Sequence, residues 1–286
     1  MKISEKSELF HHYQRGERNF QRIDLSGASL RKAKLNRAHF SQTYFRQADL
    51  ARVQLIGSHL VHVDFYQANL FNANLIEATC FQSNFTTATL IKADLSGAVL
   101  THSIFNGADL SHACLISSSL IKTYFLQAKL QSANLTKATL TQATLAQANL
   151  RSAVLTGAIL AEASLEQANL RRANLIRAYL HQANLSGASL QGADLSSAYL
   201  QAANLAFADL AGANLEGANL TGANLVGANL RRTNLQDSQL SQANLQGARL
   251  LGANLTGSNL LNAKLDDAAL SQGESVASKL IPDGRY

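Results

Sequence analysis

The chain has no tryptophan, one proline and two cysteines among its 286 residues. The cysteines, Cys80 and Cys114, form no metal-binding or redox motif, and unpaired thiols favour a reducing compartment over a secreted disulfide framework. No apolar stretch reaches the length of a membrane-spanning helix, and the start MKISEKSELF lacks an apolar signal segment. These absences predict a cytoplasmic protein that does not enter the membrane.

Groups that could carry out catalysis are also missing as a set. His62 and Asp64 lie together in VHVDF without a nucleophile beside them, and the glycines recur at a fixed period instead of forming a phosphate-binding loop. His39 and His59, twenty residues apart, have no carboxylate or cysteine that would complete a metal site. The sequence therefore predicts no enzyme, no cofactor and no metal.

What the chain has is a five-residue repeat, as in EGANLTGANLVGANL over 216–230. Every fifth residue from Phe20 to Leu270 is Leu or Phe, and Cys80 is the only exception. An α-helix turns about 100° per residue and a strand alternates its side chains, so neither keeps every fifth residue on one face. A short extended piece followed by a tight bend does so, because the bend resets the alternation.

This geometry assigns a direction to each position of the repeat. If the Leu or Phe is position i, the residue at i−2, nearly always Ala, shares its face and points inward. Asn or Asp at i−1 and the pair at i+1 and i+2 then point outward. Glycine is frequent at i+2, where a bend requires permissive dihedral angles.

A twenty-residue spacing among the inward positions predicts the size of one coil. The phenylalanines that show it have Ser, Thr or Val at i−2 instead of Ala, and they are Phe45, Phe65, Phe85, Phe105 and Phe125. Four repeats per coil, with these rings stacked on one inner wall, is the simplest explanation. At roughly 4.8 Å per coil, about 13 coils would stack along one axis.

The tandem A(N/D)LXX pattern over 20–270 resembles the pentapeptide-repeat family, and the flanks YQRGERNF and LIPDGRY are similar to those of cyanobacterial members. The resemblance implies an all-β fold, a right-handed quadrilateral β-helix. Some members of this family bind DNA gyrase by imitating the acidic surface of DNA. This chain departs from that pattern because its formal net charge is +6.

Three parts are expected along the chain: an N-terminal helical cap over 1–18, the pentapeptide-repeat solenoid over 19–272, and a C-terminal capping segment over 273–286. The cap helix is predicted over residues 4–14, with Ser4 as its N-cap and Gly16 as its end. Leu280 and Ile281 are expected to close the far end. Both caps would cover apolar core and unpaired backbone at the ends of the stack.

One set of outward turn positions is strongly basic. The pairs that follow Leu30 and every twentieth residue after it contain no acidic residue. We define the basic stripe as Arg31, Lys32, Arg52, Lys92, Arg151, Arg171, Arg172, Arg231 and Arg232. It is interpreted either as a solvated edge or as a contact surface for an acidic partner.

A second set of outward positions is apolar. We define the apolar patch as Ile56, Tyr66, Phe71, Ile76, Phe81 and Ile91, all at i+1. Such residues are explained either by β-propensity beside a bend or by a protein contact. Both interpretations remain open from sequence alone.

The function expected from these features is a non-enzymatic scaffold or regulatory module that binds another protein through the flat faces of a rigid solenoid. The basic stripe favours an acidic partner. The alternative is nucleic-acid binding through the basic stripe. It is the weaker hypothesis, because the stripe lacks interleaved aromatics and the other faces are neutral. DNA mimicry directed at gyrase is the third hypothesis, and the basic charge disfavours it.

Overall fold

The structure is a computed structural model that describes residues 6–271 and 274–275. The chain forms two compact units, Met1–Asn149 and Leu150–Tyr286. Helix α1 spans Lys6–Gln14, and strands β1 (Ala269–Ser271) and β2 (Glu274–Ser275) pair antiparallel. Ser4, Leu280 and Ile281, which were predicted to act in the caps, lie outside the described residues. The predicted domain boundaries stay predictions.

Between α1 and β1, each repeat is a two-residue turn followed by an extended piece that forms one β-bridge. In a typical turn the N–H of Ala73 donates to the carbonyl of Leu70 at 3.0 Å. The second turn residue has φ between +53° and +73°, which explains why glycine is frequent there. As many as 36 non-glycine residues in the described part of the chain adopt positive φ. Each accepts a strain of about 1–2 kcal/mol, which the stacked coils must offset.

Successive coils are related by twenty residues. Parallel bridges join Asn69 to Thr89 in the first unit and Tyr179 to Tyr199 in the second. Backbone hydrogen bonds follow the same period, as in the bond from the N–H of Leu50 to the carbonyl of Asn69 at 2.8 Å. The prediction of four repeats per coil is therefore confirmed within each unit.

The core is formed by the two inward positions of every repeat. From Leu25 to Leu250, each Leu or Phe at position i is at most 2% exposed, and the Ala residues at i−2 are nearly as buried. The phenylalanines stack as predicted: the ring of Phe85 lies 4.7 Å from that of Phe65 and 4.6 Å from that of Phe105, with interplanar angles of 11° and 1°. Apolar burial in each coil is thus continued directly into the next coil.

Most buried inward serines and threonines donate their hydroxyls to a carbonyl of the neighbouring coil, whereas Ser118 and Thr123 bond within their own turn and Ser238 has no hydrogen-bond partner among the described residues. The hydroxyl of Ser83 donates to the carbonyl of Leu60 and accepts from the N–H of Val63 at 3.0 Å. The buried hydroxyl is therefore satisfied without water. This explains why the wall beside the phenylalanine stack departs from alanine at i−2.

The outward Asn or Asp at i−1 has two roles. Its side-chain oxygen accepts the N–H of the next turn, as from Phe71 to Asn69 at 3.1 Å, which is an Asx-turn. Its amide can also donate to the equivalent residue one coil away, as from Asn204 to Asn184 and from Asn224 to Asn204 at 3.1 and 3.0 Å. The residue thus stabilises both its own turn and the stacking of coils.

Helix α1 packs on the beginning of the first unit. Leu9 is fully buried, and the Tyr13 hydroxyl donates to the carbonyl of Asn36 at 3.1 Å. The guanidinium of Arg18 lies 3.9 Å from the centre of the Tyr13 ring, and Gly16 follows the helix with a φ of +92°. These contacts agree with the predicted cap.

Candidate protein-interaction surfaces

The first unit contains one part of the basic stripe. Arg31 forms an ion pair with Asp49 at 3.0 Å, so an acidic residue on the adjoining extended piece partly neutralises this turn. Lys32, Arg52 and Lys92 are exposed and stand in successive or alternate coils at the same left-handed turn position. The turn residues of the stripe do not by themselves reveal this neutralisation, because Asp49 lies outside the turns.

The same turns also carry apolar residues. Phe71 and Ile91 occupy the first turn position in coils of this column, where they are half-buried. The expectation that the basic stripe lacks interleaved aromatics is therefore wrong for the first unit. The twenty-residue register could have shown this from sequence, because Phe71 follows Leu70.

In the second unit, three arginines of the basic stripe surround a surface depression of about 520 Å³. Its lining residues are Arg151, Asn169, Arg171, Arg172, Gln191 and Gly192. The side-chain oxygen of Asn169 accepts the N–H of Arg171 at 3.2 Å and so fixes the turn. Neither Arg171 nor Arg172 forms an ion pair with a described residue. Gln191 donates through its side chain to Asp209.

The last two arginines of the basic stripe line a second depression in the same unit. Arg231 and Arg232 surround about 510 Å³ together with Ala211, Gly212, Asn229 and Leu251. Asn229 accepts the N–H of Arg231 at 3.4 Å, so this turn repeats the local geometry of the first depression. Both depressions present guanidinium groups beside amide side chains, a combination suited to carboxylates.

The structure does not bring the apolar patch together. Residues five apart lie at successive turns of a coil, so the six residues are distributed over four turns: Ile56 with Ile76, Phe71 with Ile91, Tyr66 alone and Phe81 alone. Tyr66 is 38% exposed, and the other five are half-buried. The patch is thus divided among four turn columns and does not form one surface.

The histidines form ring contacts. His39 and His59 are stacked with ring centroids 4.4 Å apart, in agreement with their twenty-residue spacing. His62 and His102 form T-shaped pairs with Phe81, with ring centroids 6.2 and 5.7 Å apart. Among the residues that the structure describes, no three His, Cys, Asp or Glu side chains are grouped so that they could hold a metal ion.

Two exposed apolar features of the second unit were missed from the sequence. Ile159, Tyr179 and Tyr199, here called the tyrosine ladder, occupy one i−1 column in consecutive coils and are 38, 46 and 41% exposed. Phe207 is 72% exposed at a left-handed turn, and its ring lies against Gly227. Applying the twenty-residue period to the i−1 positions would have found the ladder.

The described residues include no helix with the length and apolar character required to cross a membrane. The coil architecture and its outward turns instead define a repeat protein whose surface consists of regular columns of side chains.

Comparison with protein families identifies the repeat. The Pentapeptide repeats family matches in eight copies between residues 23 and 272, which leave only residues 80–82 of that range uncovered. The chain belongs to this family. Its members are generally non-enzymatic structural or interaction proteins. Among curated protein sequences, no significant match was found.

Solved structures include similar cyanobacterial and plant proteins. HetL of Nostoc sp. strain PCC 7120, a pentapeptide repeat protein involved in heterocyst differentiation regulation, is 34% identical over 96% of this chain and 99% of its own, with a TM-score of 0.43. Rfr23 of Cyanothece 51142 is 45% identical over 32% of this chain and 64% of its own, with a TM-score of 0.32. A protein of the Arabidopsis thaliana thylakoid lumen is 31% identical over 42% of this chain and 66% of its own, with a TM-score of 0.19. Because these TM-scores are below 0.5, the family assignment rests on the repeat match and the identity to HetL.

Proposed function

We propose that the protein is a non-enzymatic scaffold that binds an acidic protein partner, with Arg151, Arg171 and Arg172 as the principal contact. The observation that carries this proposal is the depression of about 520 Å³ lined by these three arginines. Its guanidinium groups lie on a backbone that the Asx-turns and inter-coil bonds hold in place. Little conformational entropy of the backbone would be lost on binding.

Arginine is suited to this role because its planar guanidinium can bind a carboxylate through two parallel hydrogen bonds. Arg171 and Arg172 make no ion pair within the described chain, so a partner carboxylate would not first have to displace an acidic neighbour. A partner segment with two or three closely spaced Asp or Glu residues fits the arginines around the depression.

Family membership supports a regulatory setting for such binding. HetL, which is 34% identical to this chain over nearly all of both proteins, is involved in heterocyst differentiation regulation. We extend a regulatory role to this chain, exercised through protein contact. The two free cysteines support a cytoplasmic location for it. A right-handed, quadrilateral cross-section with about 13 coils is inferred from family membership and the coil period.

The test compares two arginines that differ only in their place on the coil. Arg172 and Arg177 are both exposed second turn residues, with φ of +57° and +55°. Three baits would be used in nuclease-treated lysate of the source organism: the wild type, Arg172→Glu and Arg177→Glu. The affinity of each captured protein for the three baits would then be measured by titration. Arg172→Glu should weaken the affinity for the partner at least tenfold, which is equivalent to a loss of about 1.4 kcal/mol in the free energy of binding. Arg177→Glu should bind normally; equal binding by all three baits would refute the proposal.

Nucleic-acid binding is the second candidate function. It is supported by the arginine-lined depressions and by the aromatic residue Phe71 within the basic stripe. It predicts that affinity for a DNA or RNA oligonucleotide falls steeply with salt, because phosphate contacts release counterions. A protein partner held by two or three ion pairs predicts a shallower dependence. Gyrase-directed DNA mimicry would require an acidic surface, which a chain of net charge +6 does not supply as a whole.

A further inference from the structure

The tyrosine ladder departs from the chemistry of its position. At i−1 the family repeat places Asn or Asp, whose oxygen accepts the following turn amide, as Asn174 does from Ile176 at 3.1 Å. Ile159 has no acceptor atom, and the hydroxyls of Tyr179 and Tyr199 lie at the far end of a rigid ring. Three consecutive coils of the second unit therefore lack the Asx-turn hydrogen bond at this i−1 position.

The rings recover only part of this loss. A hydrogen bond of this kind contributes about 0.5–1.5 kcal/mol to stability, and although Tyr179 and Tyr199 bury area against each other, they remain 46 and 41% exposed. The loss is repeated in three coils, so the ladder is a contiguous apolar strip on an otherwise amide-rich surface. Contiguous exposed apolar residues rimmed by polar ones are a feature of contact surfaces.

The orientation of the rings limits what the ladder can contact. Tyr179 and Tyr199 are stacked face to face, with centroids 4.7 Å apart and an interplanar angle of 5°. Their inner faces are therefore occupied by each other, and their edges and hydroxyls are presented outward. A nucleobase or a sugar ring, which binds by stacking on an aromatic face, has no open platform between them. Another protein surface, which packs against ring edges, fits this arrangement.

The charge around the ladder points to a second copy of the same chain. The turns on either side of it carry one base, Arg177, and one acid, Glu162, with uncharged or histidine residues otherwise. In a chain of net charge +6, this is a surface at which two copies can approach without strong repulsion. Two such columns also share the same spacing of roughly 4.8 Å per coil, so side chains of one copy can pack in register with those of the other.

We propose that the tyrosine ladder is a self-association surface through which two copies of this chain pair side by side. Because three side chains supply its apolar area, the ladder covers less than the roughly 800 Å² per partner that a standard stable interface buries. The dimer is accordingly weak and reversible. This inference is independent of the proposed function, since it uses a different column of side chains.

The test replaces the ladder by the residue that the family repeat normally carries. The triple variant Ile159→Asn, Tyr179→Asn, Tyr199→Asn restores turn acceptors and allows the amide bonds seen from Asn204 to Asn184. It should fold with equal or higher thermal stability, so loss of folding cannot explain loss of pairing. Sedimentation velocity from about 10 µM to about 1 mM should show wild-type mass rising above 30.7 kDa and the triple variant remaining at that mass.

A matched control comes from the first unit. Ile104 and Tyr124 are also exposed i−1 residues in consecutive coils, at 37 and 46%, and Ile104→Asn, Tyr124→Asn should leave pairing unchanged. The inference is overturned if the wild type stays monomeric, if the triple variant pairs like wild type, or if this control loses pairing equally. Arg172→Glu should leave pairing intact and added salt should not weaken it, so this inference and the proposed function can fail separately.

Discussion

Replacing Phe85 by alanine should be among the most destabilising single changes in the first unit. The side chain is fully buried and stacked between two rings at 4.7 and 4.6 Å. Truncation of a buried phenylalanine costs about 3–5 kcal/mol, because apolar burial is lost and a cavity remains. Each aromatic pair adds about 0.5–1.5 kcal/mol beyond area. We therefore expect Phe85→Ala to lower the free energy of unfolding by about 4–5 kcal/mol, near the upper end of the truncation range.

Two further variants separate the contributions of the ring contacts and of burial to this cost. Phe85→Leu keeps most of the apolar volume and loses the two ring contacts, so it should cost about 1–3 kcal/mol; leucine already fits this position in later coils, where Leu165 and Leu185 are fully buried. Phe207→Ala makes the same chemical change at a side chain that is 72% exposed and should alter stability by less than about 0.5 kcal/mol.

The assay is equilibrium unfolding in urea followed by circular dichroism, fitted with separate transitions if the two units unfold separately. The buried stack should make Phe85→Ala much more costly than Phe85→Leu, and both more costly than Phe207→Ala. A cost below about 1 kcal/mol for Phe85→Ala, or an equal cost at Phe207, would refute the assignment of stability to the inward columns.

Three other predictions concern single residues. Gly227→Ala should destabilise the protein by more than about 1 kcal/mol, because the φ of Gly227 is +65° and an added Cβ would lie 2.7 Å from the ring of Phe207. Urea unfolding measures this cost, and an unchanged unfolding midpoint would contradict the prediction. Burial raises the pKa of the Cys80 thiol, so a thiol reagent at pH 8 should modify the half-buried Cys114 first and Cys80 only on unfolding; simultaneous reaction of both would argue against this. Hydrogen bonds from the side chain and backbone of Ser26 hold the pKa of Asp24 below 3.8, so its contribution to stability is present above that value and is lost as pH falls through the folded pKa. An NMR titration of Asp24 with a midpoint at or above pH 3.8 would show that these hydrogen bonds do not lower its pKa.

Much of the fold follows from the sequence because one steric rule is repeated without interruption. Leucine every fifth residue requires a bend in each repeat, and the spacing from Phe65 to Phe85 gives the number of repeats in a coil. Both are confirmed by the parallel bridges at twenty residues and by the stacked rings. The helix was also expected, although Ser4, its predicted N-cap, lies outside the described residues.

The surface was harder to predict because outward residues have meaning only once they are assigned to columns. Phe71 and Phe81 looked like one patch because they are close in sequence, yet ten residues separate them by half a coil. The ion pair of Arg31 with Asp49 joins a turn to the extended piece of the next coil, so counting turn residues could not show it. The tyrosine ladder obeys the same period and required only that the i−1 positions be compared.

The twenty-residue coil restricts how such a chain can change in length. Insertion of one pentapeptide would keep every downstream leucine inside, so the core would survive almost unchanged. It would nevertheless move each downstream outward residue by one turn of the coil, and an arginine following Leu170 would no longer stand in column with its neighbours of earlier coils. Within a unit, a surface column is therefore preserved only when residues are gained or lost in multiples of twenty. The core tolerates changes in length of five residues, whereas a binding surface formed by one column is kept only when whole coils are gained or lost.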